Sequence, residues 1–242
     1  MPFPVAHPAA VLPLRRYCPR HLSFPALVAG SLSPDFGYVL GHLPVDWLSH
    51  RFWPGSFAFC LPVGLLIVWG FYLVRSPLIE FLPGRCKELF RPLCQPLDRP
   101  WRVLPPSVLV GVWTHDLLDS ISHADGWLVE HISALRQPVY WLGAPGGPVY
   151  DLLYAGITFC GAVWLAGCYL RWLGQVTNSP TLGRAAARWG CALLFGASSL
   201  ALATAGRGPH QFLGLIPLGI VTVAMVLGFL AATLWLFTAK QG

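Results

Sequence analysis

Charge is what this sequence has least of. Only 11% of its 242 residues are Asp, Glu, Lys or Arg, against about 25% in an ordinary soluble domain. A water-facing surface cannot be built from so few ionic groups, which excludes most soluble single-domain folds. Hydrophobic residues make up 55% of the chain, and that excludes disorder. Acids are the scarcest charged residues, 10 against 16 Lys and Arg. The basic excess is not interleaved with aromatics on one patch but sits between apolar runs, so no nucleic-acid partner is expected. The seven Cys contain no Cys-x-x-Cys pair, which argues against a zinc ribbon, and their odd number against a disulfide framework. The opening residues lack the basic stretch of a signal peptide, because Arg15 and Arg16 follow the first apolar segment. These residues are therefore expected to stay in the mature protein. There is no internal repeat and no heptad pattern.

What remains is apolar and aromatic, with 11 Trp, 14 Phe and 7 Tyr and a mean hydropathy of +0.58. Four long apolar runs stand out: 57–74, 149–170, 188–206 and 212–238. Each reaches or approaches the about 20 residues that cross hydrocarbon. A fifth run, 103–118, is interrupted by Pro105 and Pro106 and continues as a polar-striped helix to about Leu128. Pro62 and Pro217 should kink their runs. The cluster from Gly143 to Pro148 reads as a turn. Residues 8–14 and 24–40 form two short segments around a basic turn at 15–21, the pattern of an N-terminal helical hairpin.

The expected fold is all-α, a polytopic integral membrane helical bundle forming a single domain. Residues 1–56 would supply the hairpin and its turns, and 57–242 the transmembrane helices. Arg75, Arg85, Lys87, Arg91, Arg99 and Arg102 follow the first run, Arg171, Arg184 and Arg188 the second, and Lys240 the last. The positive-inside rule puts all three groups in the cytoplasm. Residues 119–147, His50 and the open ends of the hairpin near His7 and Asp35 then face the opposite side.

Ionisable groups beside a bilayer are expensive and mark functional candidates. His115, Asp119 and His123 stand at i, i+4 and i+8. On a helix they span an arc of about 80° and a rise of about 12 Å, and so face one way. Imidazole nitrogen with carboxylate oxygen suits Zn²⁺ or a similar divalent ion. Asp116 points elsewhere. His7, Asp35 and His50 lie at segment ends on the same outer side and would complete the set if they converge. A carboxylate between two groups of imidazoles can bridge a pair of ions, clamp a phosphoester and activate water. The plain alternatives are a solvated His, a hydrogen-bonded Asp–His pair sealing two helices, and Asp35 as a turn or cap residue. Arg51, Arg136 and Arg207 are outer-face cations; Arg51 is the one assigned to a phosphate or an anionic headgroup, the plain alternative being that they meet only lipid or water. His42 and His131 read as interfacial, and His210 as part of a turn.

The opening residues from Met1 to Arg16 resemble the start of the bacterial domain-of-unknown-function 4184 family. So do Gly30 to Asp35, His50 with Pro54 and Gly55, and the string Thr114-His115, Asp119, His123, Gly126-Trp127. The resemblance covers most of residues 1–160 and implies a multi-pass bacterial inner-membrane protein. The order of His and Asp is also similar to that of membrane-bound metal-dependent hydrolases and of zinc-dependent phospholipase C. That similarity implies a ligand set of His7, Asp35, His50, His115, Asp119 and His123. The phospholipase pattern ends in His-x-x-x-Glu, which this chain lacks, and Asp151 and Ala155 stand in that region. A complete three-ion site is therefore not expected, which leaves one or two ions or a degenerate site.

The function these readings support is a metal-dependent hydrolase at the extracytoplasmic face, acting on a phosphoester such as that of a membrane lipid. The cofactor is zinc or a similar divalent ion, a metal-activated water attacks, and His115 and Asp119 are the catalytic pair. A non-enzymatic membrane scaffold or accessory subunit, with a structural ion or a hydrogen-bonded His/Asp cluster, is the alternative. A transporter fits less well, since neither a repeated half nor paired broken helices occur.

Overall fold

The structure, a computed structural model, describes residues 7–18, 21–39, 52–81, 87, 88, 91, 101–141 and 144–177. His50, Arg51, His42 and His210 lie outside the described residues, as do the runs at 188–206 and 212–238.

The described chain is mostly helical. In chain order its helices are α1 (His7–Val11), α2 (Phe24–Leu32), α3 (Phe36–Val39), α4 (Phe52–Gly55), α5 (Leu61–Glu80), α6 (Leu104–Ser122), α7 (Trp127–His131) and α8 (Val149–Thr177). A two-stranded antiparallel hairpin, β1 (Pro138–Trp141) and β2 (Ala144–Pro148), precedes α8. The chain divides into two compact units, Met1–Phe71 with Leu97–Leu165, and Tyr72–Pro96 with Ala166–Gly242. The second unit contributes helical residues, among them Arg75, whose guanidinium lies 4.0 Å from the centre of the Tyr72 ring. The His/Asp cluster belongs to the first.

The N-terminal segment contains α1, a 3₁₀ stretch Leu12–Tyr17 carrying the exposed Arg15 and Arg16, and α2. Pro25 sits in the first turn of α2, where its missing N–H costs nothing. The Ser23 N–H ahead of it donates instead to Ser107 Oγ on α6 at 2.9 Å. That hydroxyl in turn donates to the Val103 carbonyl at 2.7 Å. This satisfies a buried backbone donor and pins the start of α2 to α6.

Farther along, α2 and α6 meet backbone to backbone. A Cβ on Gly30 would overlap the Val108 carbonyl, and one on Gly111 would overlap the Leu27 carbonyl. Around this crossing Val11, Ala26, Leu27, Val108 and Val112 are fully buried and form the core.

Pro105 and Pro106 do not interrupt the α6 run. They open the helix, in the first turn that tolerates proline. Nor does α6 continue to Leu128. It stops at Ser122, where His123 turns extended (φ −117°, ψ 145°). A turn at residues 123–126 then leads into α7. The irregularity expected at Pro62 takes the form of a π turn over Ser56–Cys60, in which the Leu61 N–H reaches the Ser56 carbonyl. The stretch read as a turn before Pro148 is the strand β2, so the chain is not purely α.

Two helical stretches, Trp53–Glu80 of 28 residues and Val149–Tyr169 of 21, are long and apolar enough to cross a membrane. Neither is a buried core helix: Leu66, Trp69, Leu73 and Leu78 on the first and Leu152 and Trp164 on the second are exposed.

Candidate metal centre

The close crossing of α2 and α6 sets the C-terminal end of α2 beside the middle of α6. The Ser31 carbonyl at that end lies 2.8 Å from His115 Nδ1. The contact makes Nδ1 the protonated nitrogen and turns Nε2 toward Asp119 and Asp35. Metal-ligating histidines are commonly fixed by this kind of backbone contact. Next to it, Ser33 closes α2 by donating its hydroxyl to the Gly30 carbonyl at 2.9 Å. The turn that follows delivers Asp35 to the same place. On the other side α1 brings His7, whose ring stacks on His115 with centroids 3.7 Å apart and planes inclined by 22°. His7 and His115 are both inaccessible to solvent.

One ligand atom from each of His7, Asp35 and His115 lies within 4.8 Å of the other two, so this buried group can hold a metal ion. The spacing i, i+4 along α6 places His115 Nε2 3.0 Å from Asp119 Oδ2, a hydrogen-bond distance. The remaining nitrogen–oxygen separations are longer. His115 Nε2 is 3.8 Å from Asp35 Oδ1, His7 Nε2 is 3.7 Å from Asp119 Oδ1, and His123 Nε2 is 3.6 Å from the same oxygen. All three exceed a hydrogen bond. They are close to the edge of a tetrahedron whose ligands sit about 2.0–2.2 Å from a central ion, an edge of about 3.3–3.6 Å.

Both oxygens of Asp35 are buried without a hydrogen-bond partner among the described residues. Burial is the main influence on this carboxyl and pushes it up to about 6, the nearby His115 opposing the rise and Asp119 adding to it. An orphaned buried carboxylate is costly unless a cation meets it, so the donor set fits a divalent ion on Asp35 as well as on the imidazoles.

Of the expected ligands, the structure brings together His7, Asp35, His115, Asp119 and His123. His50 and the expected phosphate-receiving Arg51 are outside the described residues. Three participants escaped the sequence reading. The Ser31 carbonyl carries no sequence signal, because its part depends on the helix crossing. Asp116, read as pointing away, has both oxygens buried with no hydrogen-bond partner among the described residues. A carboxylate directly after His115 in an apolar helix was the available hint. Tyr154, one turn into α8, lies within Coulombic range of Asp119.

A family model described as a domain of unknown function (DUF4184) matches residues 1–235. No curated protein and no solved structure matches the chain.

Proposed function

The chain belongs to the DUF4184 family, and from that premise and the His/Asp cluster we propose a membrane-embedded metal-dependent hydrolase of phosphoesters. The observation that carries the reading is the convergence of His7, Asp35 and His115, from three separate elements, within 4.8 Å of one another in a buried site. In this reading His7, Asp35, His50, His115, Asp119 and His123 hold the metal, and zinc is the ion their nitrogen and oxygen donors suit best. Asp119 turns one oxygen to His115 and the other to His7 and His123, so either oxygen could serve as a ligand to a divalent ion held there. A bound divalent ion lowers the pKa of water and polarises a phosphoryl oxygen.

The chain's own residues do the rest. The Ser31 carbonyl orients His115, the His7 ring braces it from one side, and Asp119 Oδ2 stands 3.0 Å from its Nε2. His123 is the least buried of the three clustered histidines, its side chain 16% exposed against 0% for His7 and His115, and marks the side from which a substrate enters. Arg51 is the cation assigned to the phosphate.

The exposed apolar sides of Trp53–Glu80 and Val149–Tyr169 support a multi-pass protein of the bacterial inner membrane. The basic residues between the runs support a site facing away from the cytoplasm. A lipid phosphoester is the substrate such a position makes available. A scaffold with a structural ion is the second reading, favoured by the burial of all three converging donors, since closed sites are structural and open ones catalytic.

The test is elemental analysis of the full chain purified in mild detergent, with hydrolysis of a chromogenic phosphodiester followed in parallel. Bound zinc that falls in His115→Ala, together with turnover in wild type alone, supports the enzyme. Zinc without turnover supports the scaffold. A metal-free wild type, with His115→Ala equally stable, removes both metal readings.

A further inference from the structure

The segment between the site helix and α8 has a surface that the metal reading does not use. After α6 ends, Gly126 packs against the backbone carbonyls of Asp119 and Ser120, so closely that a Cβ there would overlap them. Val129 of α7 is fully buried, and the Glu130 N–H donates to the Gly126 carbonyl at 2.9 Å. The segment is therefore held firmly against the end of the helix that carries Asp119. At its far end the Val149 N–H donates to the Gln137 carbonyl at 3.1 Å. Val149 is also the first residue of a stretch apolar enough to cross a bilayer. Residues 127–140 are thus tied at one side to the site and at the other to the end of a candidate span.

What this segment shows to its surroundings is large and apolar. Trp127 is 63% exposed, Ile132 43% and Tyr140 67%. Leu117, on the last turns of α6, and Leu152, one turn into α8, are exposed as well. Such side chains are poorly placed in water. Trp and Tyr are enriched where a membrane meets water, because each joins an apolar ring to a polar handle. Charge does not supply a different occupant: Asp125 and Glu130 outnumber Arg136 over residues 123–140, so there is no basic patch to seek an anionic surface.

We propose that residues 127–140 lie in the plane of the membrane at the boundary between headgroups and acyl chains, seated on the lipid by Trp127, Ile132 and Tyr140. The occupant of this surface is the bilayer that α8 enters. Apolar burial holds the segment there, not attraction to anionic headgroups. The placement rests on the reading of Val149–Tyr169 as a span and is independent of whether the neighbouring site binds metal. It puts the mouth of that site, at His123, at headgroup depth, where the phosphoester of a phospholipid lies. The substrate class it selects is an amphiphile taken sideways from the leaflet.

Photolabelling of the full chain in phosphatidylcholine vesicles tests this. Two probes are used, a phosphatidylcholine with a diazirine beside the glycerol and one with the diazirine at the acyl terminus, and adducts are mapped by mass spectrometry. The shallow probe should label residues 127–140 and the deep probe residues 61–80 and 149–169. Phosphatidylglycerol added to the vesicles should leave the shallow labelling unchanged, and Trp127→Asp with Tyr140→Asp should lower it severalfold while the deep labelling persists. Deep labelling of 149–169 with residues 127–140 unlabelled overturns the proposal and leaves the span standing. Cross-links from Tyr140 to a second copy of the chain in place of lipid adducts, or a severalfold rise with phosphatidylglycerol, overturn it also. If neither probe labels 149–169, the membrane reading itself fails and the proposal goes with it.

Discussion

Asp35 is tolerated in the fold either as a neutral acid or as a ligand. Its carboxyl titrates near 6 instead of 3.8, so without metal the folded state holds the proton more tightly than the unfolded chain. For a raised carboxylate the sign is a penalty. It is absent below about pH 4, grows as pH rises, and is complete above about 6, where the shift corresponds to at most about 3 kcal/mol. Asp35→Asn should therefore stabilise the chelator-treated protein at pH 7 by up to about 3 kcal/mol, with the gain vanishing near pH 4. With saturating zinc the same substitution should destabilise, because binding to the native state alone adds stability that the variant forfeits. Thermal unfolding in detergent, with and without chelator, reads both signs, and the same sign in both conditions would contradict the ligand role. Protons and metal compete for this carboxylate, so zinc affinity should decline as pH falls through about 6, measured by competition with a metal indicator. The part of the site legible at this scale was the set of acids and imidazoles, few enough in an apolar chain to be conspicuous. The Ser31 carbonyl and the buried Asp116 were not, since both depend on which helix lies alongside.

The crossing of α2 and α6 is the element on which the site depends. Ser31 and Asp35 come from one side of it, His115 and Asp119 from the other. Gly111→Ala places a methyl against the Leu27 carbonyl. It should cost about 1–3 kcal/mol by overpacking and lower metal occupancy without removing any ligand. Loss of stability with full occupancy, read by unfolding and elemental analysis together, would show that the ligands are positioned some other way. Helix α6 was readable because His115 and Asp119 repeat at a helical spacing, whereas Pro105 and Pro106 were read as an interruption and instead form its first turn. Its end was misplaced. Apolar residues resume at Trp127 and Leu128, and hydropathy does not register the turn at Asp125 and Gly126. The β1–β2 hairpin was hidden for a similar reason, its second strand being Ala-Pro-Gly-Gly-Pro, a composition that punctuates chains more often than it pairs.

For the molecule as a whole, Trp53–Glu80 and Val149–Tyr169 are long and apolar enough to cross a membrane, and the proposed function has them do so. The arrangement of basic residues gives that expectation a direction. A fluorescent protein fused after Gly242 should fold and fluoresce on the cytoplasmic side, beside Lys240, whereas a cysteine introduced at Ala134 should react with an impermeant thiol reagent added outside spheroplasts. Reaction only after lysis would invert the orientation and turn the site to the cytoplasm.

The stacked pair His7 and His115 joins the first helix of the chain to one that begins almost a hundred residues later. The ribosome must release α6 before His7 can meet His115. Any ion would be acquired late in biogenesis, and nascent chains stalled before Asp119 should carry none.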